Sequence, residues 1–164
     1  MDEKFLRIAI DLAKQARQNN EYPFGAVLVF EDAVMHSGHD RSVGLCDPTA
    51  HAELQVIREY CQSNRRMSLA GYTLYCSTEP CVMCSGAIHW ARLSRVVYSV
   101  SQEMLQQASA GRIKPKAEAL INIGSKKVEV VGPLLPEEGF AVLADYPFTA
   151  KAQRATRLSD ELDA

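Results

Sequence analysis

Along residues 3–18, apolar side chains recur at Leu6, Ala9, Ile10, Ala13 and Ala16. That three-and-four spacing lays a single stripe along a helix. Asn19-Asn20 and Pro23 close it, because asparagine favours local hydrogen bonds and proline cannot continue a helical ladder. From Gly25 to Phe30 the pattern becomes an unbroken apolar run, GAVLVF, as in a strand buried on both faces. Glu31-Asp32 reads as a tight turn and Ala33 to Ser37 as a returning strand. A polar loop with Gly38, Gly44 and Asp47-Pro48 leads to a helix expected from about Ala50 to Cys61, carrying Leu54, Ile57 and Arg58.

Tyr72 to Ser77, Arg95 to Val100 and Val128 to Val131 predict three further strands. Pro80 is expected at the first position of a helix running to about Ala91, where its missing N–H would have no partner anyway. Shorter helices are expected near Glu103 to Ala108, and from Pro136 to Ala144 or beyond. Strands alternating with helices predict an α/β protein, a three-layer α/β/α sandwich with helices on both faces of one sheet. The opening hairpin makes that sheet mixed. Residues 1–164 show no repeat, linker or low-complexity tract and read as one domain.

Composition narrows the function classes. The chain is 47% hydrophobic and 23% charged, with a formal net charge of −2, which excludes a molecule-wide positive field for nucleic acid while leaving a local patch open. No apolar run approaches the roughly 20 residues that span a bilayer. Met1-Asp2-Glu3-Lys4 opens a mixed-charge amphipathic stretch rather than a secretory signal, so the expected location is cytoplasmic. The five cysteines, Cys46, Cys61, Cys76, Cys81 and Cys84, are an odd set that argues against a disulfide framework.

Two segments carry chemistry: His51-Ala52-Glu53, and Pro80-Cys81-Val82-Met83-Cys84. Each is expected to open a helix. Cys81 and Cys84 are three apart, so on a helix both sulfurs face one way, and a helix N-terminus favours their thiolates. His51 adds a neutral nitrogen. Three protein ligands leave a tetrahedral zinc with one open position, the mark of catalytic rather than structural zinc. Water in that position has its pKa lowered to about 7 or somewhat above. Glu53 is then placed to take its proton, pass it to a ring nitrogen and later protonate departing ammonia. Two other readings stand beside this one: a redox Cys-x-x-Cys pair, and a closed structural site with a fourth ligand from His36, His39 or His89, none of which has suitable spacing.

The HxE…PCxxC combination resembles the zinc deaminases of the cytidine-deaminase-like superfamily. PFGAVLV at 23–29, DPTAHAE at 47–53, STEPCVMCSGAIHWAR at 77–92 and the RVVYSV strand after them resemble the branch that holds guanine deaminases and tRNA adenosine deaminases. The likeness covers roughly Leu6 to Val100. It implies a five-stranded α/β/α sandwich and a homodimer or larger homo-oligomer. It also implies one Zn²⁺ per subunit held by His51, Cys81 and Cys84, with Glu53 as proton shuttle. GAIHWAR is closer to guanine or guanosine deaminases, and EPCVMC also resembles the tRNA enzymes. In the latter, the last helix carries an aromatic pair followed by clustered arginines. Here Asp145 to Lys151 keeps the aromatics, Tyr146 and Phe148, without the arginines. Lys151, Arg154 and Arg157 form a row that reads either as a phosphate-binding face or as a solvated helix surface.

Asp40 stands where relatives carry a substrate-binding asparagine. An ionised aspartate only accepts hydrogen bonds, so the substrate should present N–H or O–H groups there; the other reading pairs Asp40 with Arg41 outside the pocket. Phe24 is expected at the pocket wall or in the core, and Trp90 on a ring or in packing or a dimer interface. Ala52, Ser77 and Glu79 are expected beside the substrate, and Tyr146 and Phe148 closing the pocket, from this chain or a neighbouring subunit. The leading expectation is a zinc-dependent aminohydrolase acting on guanine, guanosine or a related aminated heterocycle. A tRNA adenosine-to-inosine deaminase and a catalytically silent zinc-fold subunit are the alternatives.

Overall fold

The computed structural model describes residues 1–109, 115–124 and 127–148. Among them the chain runs α1 (Asp2–Gln18), β1 (Gly25–Phe30), β2 (Ala33–His39), α2 (Ala52–Ser63), β3 (Thr73–Thr78), α3 (Val82–Ala91), β4 (Arg95–Val100), α4 (Gln102–Ser109), α5 (Ala117–Ile121), β5 (Glu129–Val131) and α6 (Pro136–Leu143). The five strands form one sheet in the order β2-β1-β3-β4-β5. β1 is antiparallel to both β2 and β3, and β3-β4-β5 are parallel. The sheet is therefore mixed, as the hairpin requires. Glu31 and Asp32 both take positive φ at its turn, the geometry that a two-residue hairpin loop favours.

Strand parity separates the two cores. Ala26, Leu28, Leu74, Cys76 and Val96 face one side, against Ala52, Val56 and Tyr60 of α2, Ile88 of α3, and Ala117 and Ile121 of α5. Val27, Val29, Tyr75 and Val97 face the other, against Phe5, Leu6, Ala9, Ile10 and Ala13 of α1 and Val142 of α6. Alternate residues of each central strand thus enter different cores, which is why β1 reads as continuously apolar. Arg95 reinforces the α1 side by donating to both carboxylate oxygens of Asp2, at 2.8 and 2.9 Å.

Two helix starts differ from expectation. α2 begins at Ala52 with His51 as its N-cap, and α3 begins at Val82 with Cys81 as its N-cap. Pro80 is accordingly one residue outside the helix rather than at its first position. Both caps have extended backbones, yet their carbonyls accept the first helical bonds, from Gln55 N–H at 2.9 Å and Ser85 N–H at 2.8 Å. α5 has no counterpart in the expectations. With only Ala117 and Ile121 buried, its two anchors are too few to establish a period. Lys151, Arg154 and Arg157 lie outside the described residues.

β1 passes so close to α1 that a Cβ on Gly25 would fall 2.3 Å from Ala9 O and 2.7 Å from Ala13 N. Both obstacles are helix backbone, which cannot swing aside. Gly25→Ala is expected to destabilise the protein by about 1–3 kcal/mol or more, read as a lower urea midpoint with an unchanged slope.

Candidate metal centre and cavity

The site lies at the carboxyl end of β3, where α3 departs, and at the N-terminus of α2. His51 Nδ1 is 3.5 Å from Cys81 Sγ and 3.7 Å from Cys84 Sγ. The three ligand atoms all fall within 4.8 Å of one another. Tetrahedral zinc with ordinary Zn–S and Zn–N bonds would set sulfur and nitrogen about 3.5 Å apart, so the donor set fits one zinc ion. That both sulfurs face Nδ1 identifies it as the ligating nitrogen. His36 bonds Glu59 at 2.9 Å, His39 Nδ1 faces the Asp40 carbonyl at 2.7 Å, and His89 Nδ1 faces the Ile121 carbonyl at 2.9 Å. None of these histidines joins the cluster, so among the described residues three ligands gather, which would leave a tetrahedral zinc one further position. Cys46, Cys61 and Cys76 are also free thiols.

Proton positions in the metal-free cluster follow from its geometry. The hydrogen bond from Cys84, opposed by burial and reinforced by His51, holds the Cys81 thiol down at about 3. Burial works against a charged His51, but its hydrogen bond to Cys81 and the negative charges of Glu53, Cys81 and Asp40 outweigh that and push it up to about 9. Cys84, donating to Cys81 and buried, is held well above the usual thiol range. Burial, together with the Cys81 charge, raises Glu53 to about 7. Glu53 Oε2 accepts from the Cys84 thiol at 3.5 Å.

A cavity of about 50 Å³ opens beside this cluster, lined by Phe24, His51, Glu53, Thr78, Glu79, Cys81, Gln102 and Leu105. Phe148 packs on Phe24 with ring centroids 6.2 Å apart, and both join Leu105 in one apolar group. Tyr146 is fixed beside them by donating to the Glu21 carbonyl at 2.8 Å. Asp40 is fully buried. Its Oδ1 accepts from Ser42 N–H at 2.9 Å, and its Oδ2 has no partner among the described residues. Burial raises its pKa. Arg41 instead reaches Glu59, at 3.8 Å, so the surface pairing of Asp40 with Arg41 is not what the structure contains.

Other expected contacts divide. Ala52 is buried between His51 and Glu53. Ser77 points to the opposite face of β3, where its Oγ accepts from Gly25 N–H at 3.0 Å. Glu79 is a brace: its carboxylate accepts from Gln102 N–H at 2.9 Å and Ala117 N–H at 2.8 Å, tying α4 and α5 to the metal turn. Trp90 is not brought to the cavity. It sits at the far end of α3, 81% exposed, on a separate groove with Met67, Arg92 and Lys127. Thr78, Gln102 and Leu105 were missing from the sequence-based set. Thr78 was within reach of it, since the alternation Leu74, Cys76, Thr78 runs along the metal-facing side.

The protonation pattern has a measurable consequence. At pH 7 the metal-free cluster carries a protonated His51 and a Cys84 thiol, and only Cys81 is already ionised. Zinc uptake is expected to release about two protons and to weaken as pH falls, because His51 and Cys84 must both give up protons. Titration calorimetry in buffers of different ionisation enthalpy counts them.

Comparison with known proteins places this geometry. A tRNA-specific adenosine deaminase of Buchnera aphidicola subsp. Baizongia pistaciae is 35% identical over 156 residues, covering 95% of this chain and 93% of that protein. A probable cytosine deaminase of Schizosaccharomyces pombe is 35% identical over 144 residues, covering 84% and 86%. The crystal structure of guanine deaminase from Bacillus subtilis superposes with a TM-score of 0.63 at 33% identity, covering 88% of this chain and 96% of that one. Residues 1–100 match the cytidine and deoxycytidylate deaminase zinc-binding region. With its His-Cys-Cys cluster, mixed five-stranded sheet and glutamate beside an open position, the chain belongs to the cytidine and deoxycytidylate deaminase zinc-binding family and is a zinc-dependent deaminase of nucleobase or nucleoside amidines.

Proposed function

We propose that this protein converts the exocyclic amine of a purine-type base or nucleoside (guanine, guanosine or a related aminated heterocycle) to a carbonyl, consuming water and releasing ammonia. His51, Cys81 and Cys84 hold one Zn²⁺ per subunit. The ion supplies Lewis acidity, easing deprotonation of the attacking water and stabilising the oxygen that develops negative charge. Glu53 takes one proton from that water and delivers it to the ring nitrogen next to the amine-bearing carbon, then takes the second from the added hydroxyl and gives it to the amine as the C–N bond breaks, leaving a carbonyl and ammonia. Buried beside the cluster and lining the cavity, the Glu53 carboxylate is placed both to accept and to return a proton.

The apolar wall of the cavity supports a small ring most directly. Phe24 and Leu105 line it and Phe148 packs on Phe24, apolar side chains of the kind that flank a planar heterocycle. The net charge of −2 points the same way, because RNA affinity rests on neutralising phosphates. Asp40, buried with one free acceptor oxygen, favours a ring or sugar that presents N–H or O–H groups. The 35% identity to a tRNA-specific adenosine deaminase over 95% of the chain sustains tRNA adenosine as the second reading. The intact Glu53 weighs against a silent zinc-fold subunit. Met67 and Trp90, both highly exposed on the separate groove, fit a homodimer or larger assembly.

Ammonia release by the zinc-loaded protein is expected from guanine, guanosine or a related ring; release only from a tRNA anticodon stem-loop would overturn the small-ring reading. Glu53→Gln is expected to keep zinc and thermal stability while losing about 10²-fold or more in kcat; near-normal turnover would remove Glu53 from the proton path. Asp40→Asn, which restores a donor, is expected to reorder relative kcat/KM among these substrates with little change in melting temperature.

A further inference from the structure

The end of the sheet next to the metal cluster carries a row of side chains. Gly25 pairs with His39 and Ala26 with Cys76; carried on, one step in the first register and two in the second, they set Phe24 between Asp40 and Thr78. The bond from Asp40 N–H to the Phe24 carbonyl, 2.9 Å, continues that register, and Thr78 pairs onward with Val100. Residues side by side in a ladder share a face, and this row has the parity of Ala26 and Cys76, the face on which α2 and α3 lie. Asp40 and Thr78 therefore flank Phe24 from opposite sides, about 10 Å apart across two strand spacings.

Both ends of the row hold an unsatisfied polar atom. Asp40 Oδ2 is one. Thr78 Oγ1 is the other: the residue is only 5% exposed, and its hydroxyl has no hydrogen-bond partner among the described residues. A buried hydroxyl left unpaired is a net cost to folding, so it works against the fold unless something else satisfies it. Unlike Asp40, Thr78 lines the cavity directly, alongside Glu53 and Cys81. It lies three positions before Cys81, at the end of the strand from which the metal turn departs.

We propose that Thr78 Oγ1 is a specificity-determining contact that accepts an N–H of the substrate's exocyclic amine and of the ammonia it becomes. This rests on the small-ring reading above. The hydroxyl holds the amine at the Glu53 end of the cavity, while Asp40 meets donors on the opposite edge of the ring. Threonine suits this place because its oxygen accepts from a neutral amine and equally from a protonated one as Glu53 delivers its proton. Leucine or valine there would leave the departing amine facing hydrocarbon.

Zinc-loaded wild type, Thr78→Val and Thr78→Ser decide the matter. Valine keeps the shape and removes only the unpaired oxygen, so the melting temperature of Thr78→Val is expected to equal or exceed that of wild type. Over guanine, guanosine, adenosine and cytosine, its kcat/KM is expected to fall about tenfold for whichever amine wild type accepts, and Thr78→Ser to recover most of it. In parallel, 2,6-diaminopurine is expected to raise the melting temperature of wild type more than that of Thr78→Val, with purine, which lacks the amine, raising both equally. A melting temperature several degrees lower for Thr78→Val would show the hydroxyl to be part of the fold and overturn the assignment. Equal kinetics and equal shifts for wild type and Thr78→Val would overturn it alone, leaving the small-ring reading in place. No turnover and no shift of wild type by either purine would overturn both.

Discussion

Two helix N-termini meet at one edge of the sheet, and the separation between them governs everything else in the molecule. His51 caps α2 and Cys81 caps α3, so the spacing of Nδ1 and Sγ is set by how two helices seat on the same apolar surface. That surface is the face of Ala26, Leu28, Leu74 and Cys76. Small residues such as Ala52, at the start of α2, let the caps come close. The partial positive charge of the two helix ends then favours a cluster in which thiolates and a carboxylate are gathered. A metal centre built this way needs no dedicated loop; its geometry is the geometry of the core.

Much of this was legible in the sequence because two kinds of signal agree. The 3.6-residue stripe of α1 and the apolar run of β1 reflect burial, and burial dictated both. HxE and PCxxC are legible for a different reason: zinc chemistry demands particular atoms at particular intervals. The less legible features depend on partners distant in the chain. Glu79 reads as a neighbour of the metal turn, yet its carboxylate serves the first turns of α4 and α5. Trp90 reads as an aromatic near the site, yet a ten-residue helix carries it to the other end of the domain. Ser77 and Thr78 both adjoin the metal turn, but strand parity sends Ser77 to Gly25 on the α1 side and Thr78 to the cavity.

Reaction and selectivity are housed in separate parts of the architecture. The metal cluster and Glu53 belong to α2, α3 and the core beneath them. The outer walls of the cavity come from the start of β1 through Phe24 and from α4 through Gln102 and Leu105, with Phe148 packed on Phe24. Relatives named for tRNA adenosine and cytosine, and a solved neighbour named for guanine, are compatible with such a division.

The hairpin gives this division an unusual lever. Asp40 reaches its place only because β2 returns alongside β1 in one register, through a turn of two residues and a bulge between Leu28 and Val29. Side chains alternate across a strand, so losing or gaining one residue in that turn would turn every β2 side chain over and take the Asp40 carboxylate off the face it shares with Phe24. The length of a surface loop, remote from the metal cluster, thereby decides which side chain ends the row beside β1.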